Sequence, residues 1–226
     1  MIKAFLIDLF DTLVYLDERL LINWREEMAC SLNIEPGEFK DYWRSLSGDR
    51  FTGKISSTEQ MLDLIASHFG VSLGEEKRDY LSRLELERLI ESAHLYPDTS
   101  RTLLEMRSLG YRTALVSNAS YNTMPLLEHL NLTPLLDVRI ISCQAGVAKP
   151  DPVIYGMALS RLGLQKEECL FIGDGACQEL DGAHESGIKA VRIVQEPQTS
   201  LFGNSSWCDF TIHSLYEVLS LAEEVR

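Results

Sequence analysis

The sequence predicts an α/β fold in which a parallel β-sheet core carries an inserted all-helical domain. Three observations predict it. From about residue 111 onward, short apolar runs alternate with turns and amphipathic segments, the pattern of βα units around a parallel sheet. Between the first apolar run and about residue 95 the strand signals vanish and the apolar spacing becomes helical. The length, 226 residues, suits one α/β domain or one core bearing a smaller insertion.

Residues 3–7 supply the first strand, a buried apolar run that stops at Asp8. Helical spacing follows at about 17–32, 37–47, 57–69 and 74–93. In the first of these, Leu20, Leu21, Trp24 and Met28 share one face. Residues 16–94 are therefore assigned to the insertion, and 1–15 with 95–226 to the core. The two connections, near 14–17 and 94–97, lie side by side if the insertion is compact, as a hinged lid requires. Further strands are expected at 112–116, 138–142, 169–172 and 190–194, with a short edge strand at Phe210–Ile212. Helices are expected at about 121–130, 151–163, 177–186 and 213–224, the third stopped by Gly187. Residues 196–206, with Pro197, Gly203 and serines, read as a surface loop.

Thirty-four acidic side chains against 21 basic ones give a formal charge of -13. A binder of nucleic-acid backbones needs a basic face, so no nucleic-acid partner is expected. An anionic small molecule would need a local pocket whose donors overcome the background field. Apolar residues at 45% suit a packed protein. The five cysteines are scattered without a CxxC pair, which suggests free thiols rather than a disulfide or zinc framework. The N-terminal apolar run is too short for a signal-peptide core or a membrane span. A soluble cytoplasmic protein with no membrane partner is expected.

In a parallel sheet, groups just past the strands gather along one edge, where such folds bind ligands. Four strand ends carry suggestive residues. Asp8, in Asp8-Leu9-Phe10-Asp11-Thr12, is either a turn former or a carboxylate available as nucleophile or cation ligand. Ser117-Asn118 opens a turn, or offers a hydroxyl and backbone N–H groups to an anion. Lys149 precedes Pro150 and the helix-capping Asp151, so its charge sits in a stiffened loop. Gly173-Asp174-Gly175 is a turn sequence, yet Glu179 five residues on would face the same pocket and complete an oxygen-rich cation site.

Taken in order, the strand-end Asp with Thr at +4, the helical insert, strand-Ser-Asn, Lys-Pro-Asp-Pro and strand-Gly-Asp with a trailing acid resemble the haloacid dehalogenase superfamily of hydrolases. The resemblance spans nearly the whole chain and implies a Rossmann-like core under a mobile helical cap. It implies that Asp8 attacks phosphorus to form an aspartyl-phosphate. Leu9, Phe10, Ser117, Asn118 and Lys149 would surround the phosphoryl group, with Ser117 and the Asn118 backbone on its oxygens and Lys149 neutralising charge. Asp8, the Phe10 carbonyl, Asp174 and Glu179, directly or through water, would hold Mg²⁺.

Phe10 departs from the phosphatase pattern, which has a second Asp there as general acid and base. Asp11 is the nearest substitute. An aromatic residue at +2 is familiar from the 2-haloacid dehalogenase branch, where an Asp8 ester would form, but that branch lacks the Gly-Asp motif kept here. A Mg²⁺-dependent phosphatase of a small phosphorylated metabolite is the leading expectation. A dehalogenase, and a weakly active binding module, are the rivals. For substrate choice the cap offers Arg19, Arg25, Arg44, Arg50 and Lys54, of which Arg50 and Lys54 flank a turn facing the cleft. Trp24, Tyr42 and Trp43 offer stacking surfaces. His184 is expected to be packed structure, and the assembly a monomer or homodimer.

Overall fold

A computed structural model describes residues 1–197 and 204–225. In chain order it contains β1 (Ala4–Ile7), β2 (Val14–Leu16), then the helices α1 (Glu18–Ser31), α2 (Pro36–Ser45), α3 (Ser47–Phe51), α4 (Thr58–Phe69) and α5 (Glu75–Ser92), and β3 (Ala93–Leu95). There follow α6 (Thr99–Ser108), β4 (Arg112–Ser117), α7 (Thr123–His129), β5 (Val138–Ile141), α8 (Ser142–Ala145), α9 (Pro152–Leu162), β6 (Cys169–Gly173), α10 (Glu179–Glu185), β7 (Lys189–Ile193), β8 (Phe210–Ile212) and α11 (Glu217–Glu224).

Every residue of β1 is buried, and a strand apolar on both faces belongs inside a parallel sheet. The six-stranded sheet runs β5-β4-β1-β6-β7-β8, parallel throughout. Phe5 and Ile7 point into one apolar layer with Leu103, Met106, Leu126 and Val218. Ala4 and Leu6 point into the other, with Ile154, Tyr155 and Leu180. The result is an α/β Rossmann-like fold with helices on both faces. Ile7 is in register with Leu115 and Ile172, so Asp8, Ser117 and Asp174 leave the sheet within one residue of the same level.

Helices α1 to α5 enclose an apolar cluster of their own, including Trp24, Phe39, Trp43, Met61 and Leu84. At their base β2 and β3 pair antiparallel, Val14 opposite Leu95. Gly53, at φ 74°, meets the core closely: a Cβ there would lie 2.1 Å from the Cys143 carbonyl oxygen.

The elements differ from expectation in several places. The β2–β3 ribbon and α6 have no counterpart in the sequence reading, and the helix expected at 37–47 is divided into α2 and α3. Ser142 begins α8 instead of ending β5, and its hydroxyl accepts from Ala119 N (2.9 Å) to tie two loops together. The helices expected from 121, 177 and 213 start later, at Thr123, Glu179 and Glu217. His184 is exposed, not packed, with its ring 4.4 Å from that of Trp207. Of the loop expected at 196–206, residues 198–203 lie outside the described residues. Among the described residues no helix is long and apolar enough to cross a membrane.

Candidate active site

The turn after β1 is built around Asp11, whose φ of 56° is left-handed, a conformation Asp tolerates better than most residues. Its N–H donates to Val14 O (2.7 Å), while Leu13 and Val14 N–H both donate to Leu9 O. This places Asp8 at the sheet edge with its own N–H on Ile172 O (2.9 Å). Leu9 is fully buried, with its side chain in the core layer. The half-buried Phe10 ring packs against the core layer.

Lys149 Nζ lies 2.5 Å from Asp8 Oδ1 and also pairs with Glu179 Oε2. The lysine backbone is clamped by the Asn118 side chain: Lys149 N donates to Asn118 Oδ1 (2.7 Å), and Asn118 Nδ2 donates to Lys149 O (2.9 Å). Sequence reasoning considered only the Asn118 backbone. The second oxygen of Glu179 accepts from Gly175 N (3.0 Å), and its carbonyl accepts from Tyr155 Oη (2.6 Å). Tyr155 was not singled out in the sequence, since nothing local marks a helix tyrosine that reaches another helix. Gly173 is required by close approach, because a Cβ there would lie 2.0 Å from Glu179 Oε1. Gly182 likewise leaves room for the Pro150 carbonyl, 2.5 Å from a Cβ.

Asp174 Oδ1 accepts from Ala176 N (3.1 Å), but its Oδ2 is buried without a partner, and so is Ser117 Oγ. Asp8, Asp174 and Glu179 each offer an oxygen within 4.8 Å of the others. All three, and Lys149, are at most 6% exposed. Burial pushes the Asp8 and Glu179 carboxyls up; Lys149 opposes this and the neighbouring carboxylates reinforce it. Burial by itself would lower Lys149, but Asp8 and Glu179 outweigh it and hold the ammonium above its ordinary range. Two carboxylates, Asp8 and Glu179, thus share one ammonium, and Asp174 beside them has no cationic partner among the described residues. The orphaned Asp174 oxygen and the hard-oxygen donor set fit a divalent cation.

Asp11 is also buried. The carboxylates of Asp11 and Asp174 both act on Tyr96, whose phenol is raised first by burial and then by them. The two insertion residues singled out for the cleft part company. Lys54 is exposed and pairs with Asp49 (3.1 Å), whereas Arg50 lies over the Trp43 ring, 5.3 Å from its centroid.

The family of haloacid dehalogenase-like hydrolases matches residues 2–187. A glyceraldehyde 3-phosphate phosphatase of Methanocaldococcus jannaschii is 24% identical over 233 residues, covering 100% of this chain and 99% of the relative. The (S)-2-haloacid dehalogenase 1 of a Pseudomonas sp. (strain CBS-3) is 28% identical, covering 89% of each. A HAD phosphatase crystal structure from Thermococcus onnurineus superposes with a TM-score of 0.69 at 25% identity, over 97% of each chain.

Proposed function

Because the chain belongs to the haloacid dehalogenase-like hydrolases, we propose that it is a phosphatase that hydrolyses a small phosphorylated metabolite through Asp8. The observation that carries this reading is the buried set of Asp8, Asp174 and Glu179 around Lys149, with one Asp174 oxygen left unpartnered. In this reading 16–94 is a cap over a core of 1–15 and 95–226, and the enzyme acts in the cytoplasm.

An Asp8 oxygen forms a bond to phosphorus as the bond to the leaving oxygen breaks. Water then attacks the aspartyl-phosphate, releasing phosphate and restoring the carboxylate. Splitting one displacement into two lowers each barrier. Lys149, held by Asn118, places its charge beside the attacking oxygen, and the Ser117 hydroxyl donates to a phosphoryl oxygen. Fixed donors of this kind stabilise charge as it develops. Asp8, Asp174 and the Phe10 carbonyl would hold Mg²⁺, with Glu179 contacting it through water because both its oxygens are already engaged. When bound, Mg²⁺ supplies the positive charge that lets a carboxylate approach a phosphate. With Phe10 at +2, Asp11 is the carboxyl nearest in sequence to protonate the leaving group.

A dehalogenase reading rests on Phe10 and on the haloacid dehalogenases among the relatives, since a halide leaves without a proton. The test is a panel of phosphorylated sugars, nucleotides and organic acids, with and without EDTA. Phosphate release that needs Mg²⁺ and is lost in Asp8→Asn is the expected result. Halide release from 2-chloropropionate with no phosphate release from the panel would overturn it.

A further inference from the structure

The loop that runs from Asp174 to Glu179 is held from outside its own motif. Between β6 and α10 the chain passes through Cys177 at φ 51° and Gln178 at φ 56°, two consecutive left-handed residues that are not glycine. Such backbone persists only where surrounding contacts fix it. The loop supplies some of these itself, since Ala176 N donates to Asp174 Oδ1 (3.1 Å) and Gly175 N to Glu179 Oε1 (3.0 Å). Others come from residues 204–206, which precede β8. Asn204 N (3.1 Å) and Ser205 N (3.0 Å) both donate to Gly175 O. Gln178 N donates to Asn204 Oδ1 (2.8 Å), and Leu180 N to Ser205 Oγ (3.1 Å). Ser206 N and Oγ both donate to the Asp181 carboxylate. Arg192 Nη2, from β7, holds the brace in turn by donating to Ser205 O (2.7 Å).

Asn204 and Ser205 each grip the loop at two points. One is Gly175, next to Asp174; the other is Gln178 or Leu180, the two residues that flank Glu179. Asn204 and Ser206 are exposed and Ser205 is half-buried, so the segment adds little to the apolar core, and its contacts with the loop are polar. We infer that Asn204 and Ser205 are positioning residues for the cation: acting through the loop backbone, they set the spacing of Asp174 and Glu179 and thereby the affinity for Mg²⁺. The inference rests on the cation site of the proposed function, and it does not depend on which ester is hydrolysed. A carboxylate already fixed in place loses less freedom when an ion binds, and contacts that orient metal ligands are typically worth about 10–100-fold in affinity. If residues 204–206 only closed the surface, their loss would lower stability and leave the affinity for the ion intact.

Titration of the full chain with Mg²⁺ in the absence of substrate tests it, read by calorimetry, with Mn²⁺ as a second probe read by the paramagnetic resonance of the free ion. Asn204→Ala and Ser205→Ala should each weaken binding of both ions about tenfold, while Ser205→Thr, which keeps the hydroxyl, restores most of the affinity. Ser206→Ala loses a bond to Asp181, which lies outside the cation set, and should bind Mg²⁺ like the unmodified chain. Each variant keeps the backbone donors to Gly175 O, so melting temperatures in EDTA should stay within about 4 °C of the unmodified chain. Unchanged affinity in both Asn204→Ala and Ser205→Ala, or equal weakening in Ser206→Ala, overturns the inference. A chain that binds neither ion overturns the cation site and the inference together. Ion binding that depends on Asn204 and Ser205 in a chain that releases no phosphate from any ester supports the inference and fails the phosphatase reading.

Discussion

Phe10 is the residue that most limits the proposed chemistry, because the position two residues past Asp8 carries no carboxyl to protonate a leaving alkoxide. General acid help is worth about 10²–10⁴ in rate, so Phe10→Asp should raise turnover of unactivated alkyl phosphates well above that of p-nitrophenyl phosphate, whose leaving group scarcely needs a proton. Equal gains on both substrates would show that protonation is not the limit. Lys149 carries a different consequence. Lys149→Met would leave the buried Asp8 and Glu179 without their counter-charge, a loss of about 3–5 kcal/mol when a buried pair is broken. Carboxyls raised by folding contribute stability that is complete below their unfolded values and is lost as pH rises. The variant should therefore recover part of its urea midpoint between about pH 7 and about pH 5, with less recovery in the unmodified chain. A pH-independent deficit would contradict this. Asp8 and Asp174 could be picked from the sequence because each stands just past an apolar run, and Lys149 because it sits in a proline-stiffened loop. The Asn118 clamp and the Tyr155 contact could not, because each joins residues distant in the chain, Asn118 to Lys149 and Tyr155 to Glu179.

At the scale of elements, what was legible is what is local. The central strands announce themselves as apolar runs, and α9 by Asp151 before Pro152, whose carboxylate accepts from Val153 N (2.9 Å). Asp151→Ala should accordingly cost about 1 kcal/mol in chemical denaturation, as a lost N-cap does; no change would mean the cap adds nothing. The β2–β3 ribbon was not legible, since its strands have three residues each and pair across the whole insertion. Helix α6 was missed because its buried positions, Thr99, Thr102, Leu103 and Met106, are half polar and weaken the apolar stripe. The helix that carries Glu179 depends on similar non-local contacts: Gln178 N donates to Asn204 Oδ1 (2.8 Å) and Leu180 N to Ser205 Oγ (3.1 Å). Gly173→Ala strikes this arrangement at its tightest point. Its methyl would displace the Glu179 carboxylate from Lys149, so activity on any phosphate ester should fall sharply while circular dichroism still reports a folded chain. Full activity in this variant would mean that the Glu179–Lys149 pair is dispensable.

For the whole molecule, an excess of 13 negative charges has both a general and a local meaning, and heat separates them. Any salt screens diffuse repulsion among surface carboxylates, whereas only a divalent cation can bridge Asp8 and Asp174 at the sheet edge. Because those residues sit on the loops after β1 and β6, a cation held there ties the central strands of the core together. Binding to the folded state alone stabilises by about 2.7 kcal/mol at a free concentration a hundred times Kd. For a chain of this size about 1 kcal/mol moves the melting point by about 2–4 °C, so saturating Mg²⁺ should raise Tm by about 5–10 °C over NaCl of equal ionic strength. Asp174→Asn removes the charge and replaces one oxygen of the carboxylate that carries the unpartnered atom, and should erase most of that difference while leaving the NaCl response in place. A Mg²⁺ shift no larger than that of NaCl, or one that persists in Asp174→Asn, would mean that the acidic cluster is held by Lys149 alone and that the cation belongs elsewhere on the surface.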